Sequence, residues 1–177
     1  YQKMITMDLK EVDNIVLVIG KTEGHIDQSV FARNILNEKN GPPPEVNLFN
    51  EKNNGEMLLK LIDDGLIKSA HDVSLGGIIT AISKMCIKGN KGIDLKKPKY
   101  LISDIEYFFS EDQGRYLIEV TKKDLKKVTN VLDKNAVHYD ELGVINEDQL
   151  YINEKSKITI DELKSSNTSW LNNYMDN

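Results

Sequence analysis

Blocks of apolar and polar positions along this chain switch between strand-like and helix-like spacing. The residues Asn14-Ile15-Val16-Leu17-Val18-Ile19-Gly20 form an unbroken apolar run of strand length. Such a run predicts a strand covered on both faces, since a strand with one wet face would alternate apolar and polar residues. The polar stretch Gly24-His25-Ile26-Asp27-Gln28-Ser29 ends the pattern, and Val30, Phe31, Ile35 and Leu36 then share one helical face, with Asp27 placed to cap that helix. Gly41-Pro42-Pro43-Pro44 must be extended, because prolines lack a backbone donor and disfavour a helical residue before them. Glu45 to Asp64 reads as a long helix that stops at Gly65, as helices commonly do.

The stretch Ser69-Ala70-His71-Asp72-Val73-Ser74-Leu75-Gly76-Gly77-Ile78 is polar and glycine-paired between two segments that read as buried. It predicts a strand-to-helix turn spanning His71 to Gly77, with Gly76 and Gly77 at the start of a helix that continues through Ile78-Ile79-Thr80-Ala81-Ile82-Ser83-Lys84-Met85. Gly89 to Leu95 reads as a turn leading into a short strand, and Lys96-Lys97-Pro98-Lys99 as a solvated charged loop. Gly114 to Val120 is rich in strand formers, and Thr121 to Leu132 places Leu125, Val128 and Leu132 on one helical side. Val137 to Ile145 and Gln149 to Ile152 are strand-like around the turn residues Asn146-Glu147-Asp148, which predicts a hairpin or meander. Ile158-Thr159-Ile160 adds a strand, and Asp161 opens a final helix in which Trp170 reads as a packing anchor. With no internal repeat and no low-complexity linker, residues 1–177 are expected to form a single α+β domain: a mixed, largely antiparallel sheet with packed helices.

Composition narrows the class. The chain has 177 residues, 40% of them hydrophobic, and a formal net charge of -5. This acidic balance, without a Lys/Arg stripe interleaved with aromatics, argues against nucleic acid as a partner. No apolar run is long enough to cross a bilayer and the first residues carry no signal-peptide core, so the expected location is cytoplasmic, with no membrane partner. Tyr1 stands where an initiator Met would, which suggests a piece of a longer protein. Cys86 is the only cysteine and lies in an apolar helical pattern, which excludes a disulfide framework or a Cys-rich zinc site and predicts a core residue. His25, His71 and His138 show no metal-ligand spacing.

Two polar clusters carry the candidate chemistry. At Gly76-Gly77, backbone N–H groups at a helix start favour an anion such as a phosphate; the plainer reading is that Asp72 or Ser74 caps the helix. In Phe108-Phe109-Ser110-Glu111-Asp112-Gln113-Gly114-Arg115-Tyr116, carboxylates, an amide and a guanidinium suit a sugar or a magnesium-phosphate group. The plainer reading has Glu111 and Asp112 solvated and Arg115 paired locally.

In order, the segments at 16–20, 24–29, 42–46, His71-Asp72-Val73-Ser74-Leu75-Gly76-Gly77 and Phe109-Ser110-Glu111-Asp112-Gln113-Gly114-Arg115-Tyr116 resemble the C-terminal domain of the phosphoribosylformylglycinamidine synthases, in particular the small bacterial synthetase subunit. The resemblance covers nearly the whole chain. It implies the C-terminal domain type of the aminoimidazole ribonucleotide synthetase superfamily, preceded in the same polypeptide by ATP-binding domains and assembled with a glutaminase subunit and a small bridging subunit. It also implies an ATP-dependent ligation in purine biosynthesis, in which the amide oxygen of formylglycinamide ribonucleotide is activated as an iminophosphate and ammonia displaces phosphate to give the amidine. By the same resemblance ATP and magnesium belong to the full-length enzyme and its earlier domains, so no catalytic residue and no metal ligand is expected here. His71, Asp72, Ser74, Gly76, Gly77, Ser110, Glu111, Gln113 and Arg115 are the implied substrate- or nucleotide-binding positions. Asp112 stands where the family has serine, and Leu75 where it commonly has aspartate. A sister ATP-dependent synthetase, for aminoimidazole ribonucleotide or selenophosphate, and a non-catalytic binding or assembly module are the alternative readings. The isolated chain is expected to fold without turning over ATP.

Overall fold

The computed structural model describes residues 3–99 and 102–175. The apolar run at 15–19 becomes β1 (Ile15–Ile19), with all five residues buried, an interior strand of a seven-stranded sheet. The other strands are β2 (Ser69–Val73), β3 (Gly92–Leu95), β4 (Arg115–Val120), β5 (Tyr139–Asn146), β6 (Gln149–Ile152) and β7 (Ser156–Thr159), in the order β2-β4-β1-β5-β3-β6-β7. Every neighbouring pair is antiparallel except β3 with β6. The architecture is the mixed, largely antiparallel α+β sheet expected from the sequence.

Helices cover both faces because β1 and β4 bury both of theirs. On one face Val16, Val18, Val73, Leu117 and Leu142 pack against Ile78, Ile82, Met85 and Cys86 of α2 (Gly77–Gly89), Tyr107 and Phe108 of α3 (Asp104–Phe109) and Ile160 of α5 (Ile160–Met175). On the other, Leu17, Ile19, Ile118 and Val120 meet Leu61 of α1 (Leu48–Asp63) and Val128 and Leu132 of α4 (Leu125–Lys134). Burial of these side chains removes apolar surface from water at roughly 25 cal/mol per Å², the main force holding the three layers together. Cys86 is fully buried among them, and burial pushes its thiol up to about 12.

Several local expectations change in the fold. The segment after Ser29 is helical, but Ala32–Leu36 winds as a π-helix, whose wider turn breaks the 3.6-residue face. Only Ala32 of that π-helix is buried, Ile35 and Leu36 are exposed, and Ser29 Oγ, not Asp27, accepts the bond from Ala32 N at 3.0 Å. Helix α1 begins at Leu48, three residues later than expected, where the Asn47 side chain accepts from Asn50 N. Helix α3, capped by Ser103 and Glu106 in a reciprocal capping box, lies where no helix was expected. The segments now seen as β5 and β6 do not form the expected hairpin, because β3 lies between them. Trp170 is not an anchor: it is 67% exposed and stacks on Tyr174 at 5.4 Å. Among the described residues no helix is long and apolar enough to cross a membrane.

Candidate functional site

Strand pairing gathers the two polar clusters at one end of the sheet. In the antiparallel pair of β2 with β4, Asp72 lies opposite Tyr116 and Val73 opposite Arg115. Because β1 also runs antiparallel to β4, with Ile19 opposite Tyr116, the loop after β1 reaches the same end. The chain just before β5 closes the group through a bond from Gly20 N to His138 O at 2.8 Å. Residues near 22–30, 74–77 and 110–115 therefore meet although they are far apart in sequence.

Within this cluster Glu111 is a clamp. Its Oε1 accepts from Gly76 N at 2.8 Å and from Val30 N at 2.7 Å, so one carboxylate oxygen joins the glycine turn to the start of the helical segment after Ser29. The Gly77 N–H is also engaged, donating to Ser74 O at 3.0 Å. The glycine N–H groups that the sequence offered to a phosphate are thus occupied from within the chain, with Glu111 supplying the anion that a helix start favours. His71 belongs to strand β2 rather than to the turn, which is confined to Ser74, Leu75 and Gly76 between β2 and α2.

Asp112 organises the loop after β1. One of its carboxylate oxygens accepts from Glu23 N and Gly24 N, each at 3.0 Å, and the other from His25 N at 3.2 Å. An acidic residue meets this array better than serine, since a carboxylate accepts several N–H bonds and a hydroxyl offers weaker, fewer ones. Arg115 is 1% exposed, and its fork donates to Asp112 O at 3.1 Å, Thr22 Oγ1 at 3.1 Å and Ser110 O at 2.8 Å. Burial disfavours its charge and lowers its pKa, opposed first by the Asp112 carboxylate 3.7 Å away and then by Tyr107 and Glu111. These three charged groups brace loops: Glu111 and Asp112 are not the solvated residues of the plainer reading, while Arg115 does pair locally, with Asp112 and Ser110 O.

The remaining candidates divide by exposure. Asp72 and Ser74 are exposed beside the turn, and Gln113 is exposed with its amide donating to Glu111 O at 3.3 Å. His71 is partly buried; its Nδ1 lies 3.0 Å from Asp72 Oδ1 and its Nε2 is buried with no hydrogen-bond partner among the described residues. Burial would raise the Asp72 carboxyl, but the charge of His71 and hydrogen bonds from His71 and Ser74 outweigh it, and the pKa is lowered. Ser110 is fully buried and its Oγ is likewise without a partner among the described residues. Among those residues no three His, Cys, Asp or Glu side chains gather so that they could hold a metal ion. The carboxylates of Glu111 and Asp112 are taken by backbone N–H groups and do not fit a magnesium site.

Sequence reasoning missed a groove of about 890 Å³ beside this brace, lined by Gly20, Lys21, His25, Val46, Leu48, Glu51, Asn54, Asp112, Gln113 and His138. Of the proposed site residues only Gln113 opens into it. Two buried polar residues that shape the area were also missed: Thr22, which accepts from Arg115, and Asn54, whose amide donates to Gly114 O at 2.9 Å. Asn54 carried a readable signal, for it sits one heptad before the buried Leu61 on the inward face of α1, where an apolar residue is the rule.

Comparison with known proteins adds a family and a fold. Residues 11–153 match the family described as AIR synthase related protein, C-terminal domain. The chain is 70% identical over 177 residues to the phosphoribosylformylglycinamidine synthase subunit PurL of Pelagibacter ubique, covering all of this chain and 24% of that protein. It is 34% identical over 175 residues to the corresponding subunit of Bartonella bacilliformis, covering 99% of this chain and again 24% of the relative. The chain thus spans about a quarter of the length of the curated relatives it matches. Among solved structures, Thermotoga maritima PurL complexed with FGAR superimposes with a TM-score of 0.74 at 18% identity, covering 92% of this chain and 29% of that one. A thiamine-monophosphate kinase from Stenotrophomonas maltophilia K279a superimposes with a TM-score of 0.60 at 11% identity, over 86% of this chain and 54% of that one. At these identities the superpositions establish a shared fold.

Proposed function

The chain belongs to the family of AIR synthase related protein C-terminal domains, and from that membership we propose that it is the C-terminal domain of a longer phosphoribosylformylglycinamidine synthase subunit. The observation that carries this reading is the 70% identity across all 177 residues to such a subunit, since the superfamily fold alone is shared with a kinase of different chemistry. In the proposed reaction the amide oxygen of formylglycinamide ribonucleotide leaves as phosphate, having been phosphorylated by ATP, and ammonia supplies the new nitrogen of the amidine. Ammonia would come from a glutaminase partner, held with a small bridging subunit in a cytoplasmic assembly; a Thermotoga maritima structure described as PurLQS supports a multi-subunit arrangement. Solved PurL structures complexed with ATP and AMPPCP support ATP binding by the full-length protein; in the proposed reading ATP and magnesium are held by its earlier domains.

This chain's own part is structural support at a domain boundary. Glu111, Asp112 and Arg115 hold the loops near 22–30 and 74–77 in fixed relation, and the exposed Asp72, Ser74 and Gln113, with the partly buried His71, are the groups it offers to a neighbouring domain or its ligand. The turn at Gly76 and Gly77 is not an open phosphate cradle, because both N–H groups already have acceptors. The test is an assay of the full-length protein with ATP, formylglycinamide ribonucleotide and ammonium. ATP-dependent amidine formation is expected from the full-length protein and none from the chain alone, with circular dichroism checking that the chain is folded. A folded full-length protein without amidine synthesis, or amidine made by the chain alone, would overturn the reading.

A further inference from the structure

Five of the thirteen large apolar residues exposed among the described residues fall in one stretch of this chain. Ile35, Leu36, Val46, Leu48 and Phe49 all lie between the π-helix and the first turn of α1, and Leu48 and Phe49 are 75% and 77% exposed. Large apolar side chains left this open on neighbouring positions mark a contact surface more often than chance. Val46 and Leu48 also line the groove of about 890 Å³ next to the Glu111–Asp112–Arg115 brace.

Charge at the groove is one-sided. Its lining holds the carboxylates of Glu23, Glu45, Glu51 and Asp112 against a single lysine, Lys21, which already pairs with Glu23 at 2.7 Å. The Asp112 carboxylate is satisfied by backbone N–H groups. Glu45 and Glu51 are left facing the groove, next to Val46 and Leu48. An occupant that suits this surface brings apolar side chains flanked by lysine or arginine, and a free phosphate or nucleotide is disfavoured by the excess of carboxylates.

We propose that the groove and the apolar first turn of α1 are an intramolecular docking face, covered by a segment of the same longer polypeptide that carries apolar side chains beside a basic residue. The relatives are about four times the length of this chain, as the 24% coverage implies, so on the reading proposed above the chain is tethered to about three times its own mass of polypeptide. Tethering makes that polypeptide the favoured occupant, because its effective concentration at the face is far above that of any separate molecule. The inference rests on the reading of the chain as one domain of a longer synthase subunit. It adds a surface to that reading: docking here would press a neighbouring domain against Gln113 and the braced loop at 23–25.

The test uses the full-length protein with p-benzoylphenylalanine in place of Phe49. Irradiation is expected to give a cross-link within one polypeptide, migrating as a monomer, whose peptide partner maps by mass spectrometry outside residues 1–177. The double substitution Glu45→Lys with Glu51→Lys should remove most of that product, while melting stays cooperative. Cross-links to a second copy, to a separate subunit or only within residues 1–177 would overturn the proposal, as would no cross-link or one indifferent to the charge reversal. The amidine assay on the unmodified protein separates the two claims. An intramolecular cross-link in a protein that makes no amidine keeps the docking face and removes the synthase reading; an active synthase that cross-links to a separate chain does the reverse.

Discussion

Arg115 has almost no contact with water, yet every direction of its fork ends on an oxygen of the cluster: Asp112 O, Thr22 Oγ1 and Ser110 O. Removing it leaves those three buried acceptors without that donor and takes away the cation facing the buried Asp112 carboxylate, so Arg115→Ala is expected to cost about 3 kcal/mol or more in urea unfolding. Arg115→Lys should recover little of this, because an ammonium cannot reproduce the planar fork. Unchanged stability in the alanine variant would remove the bracing role. Asp72 supplies a pH signature for the exposed side of the cluster. Despite partial burial, which acts to raise it, the contacts with His71 and Ser74 hold its pKa below the ordinary 3.8. A depressed carboxylate pKa contributes stability that is present above the unfolded value and lost as pH falls through the folded one. The Asp72 carboxyl followed by NMR should therefore titrate below about 3.9, and His71→Ala should move the midpoint up; a midpoint already in the ordinary range would break the His71–Asp72 contact.

The start of α2 shows why Gly76 and Gly77 differ in consequence. Both have positive φ, +81° and +70°, in the region that L side chains avoid. A Cβ on Gly76 would strike the Thr80 side chain, whereas one on Gly77 would lie 2.5 Å from Ser110 O and 2.8 Å from Phe108 O, both backbone atoms. Backbone cannot rotate away, so Gly77→Ala is expected to destabilise by about 2–4 kcal/mol through strain and overpacking. A shift in melting temperature of less than about 2 °C would contradict the packing of α3 against this turn. The glycine turn and the helix after it were legible between Ser69 and Met85, because local burial and a Gly-Gly pair report directly on local conformation, but His71 to Val73, expected in the turn, belong to β2. The separation of β5 from β6 was not. Asn146-Glu147-Asp148 has hairpin composition, but β3 enters between the strands, and Gly92 lets it approach β6 so closely that a Cβ there would lie 2.1 Å from Gln149 O. Turn residues report that the chain bends, not which strand fills the space it bends around.

At the scale of the molecule, the segment before β1 is held to the sheet by one buried carboxylate. Glu119 accepts from Lys10 N at 2.8 Å, Glu11 N at 3.1 Å, Asn14 Nδ2 at 2.7 Å and Ser69 Oγ at 2.9 Å, tying that segment to β4 and β2. An amide in its place presents one acceptor instead of two, so Glu119→Gln is expected to lose about 2 kcal/mol or more and to speed amide exchange at Lys10 and Glu11. Exchange unchanged at both amides would show that the segment is held by other contacts. Much of this molecule was determined by the sequence alone: most of the strands and helices, though not α3 or the strand at His71, that β1 is covered on both faces, that Cys86 is core, and that polar clusters lie at 71–77 and 110–116. Those properties follow from periodicity, since burial of one face imposes its spacing on neighbouring residues. The order of the strands, the engagement of Glu111 with Gly76 and Val30, the saturation of Asp112 and the burial of Arg115 were decided only by the tertiary structure. A carboxylate in a sequence looks the same whether it faces water, a phosphate or three N–H groups. Which of these it meets depends on the sheet register that brings residues 89 positions apart into contact, as Asp112 and Glu23 are, and no local pattern encodes that register.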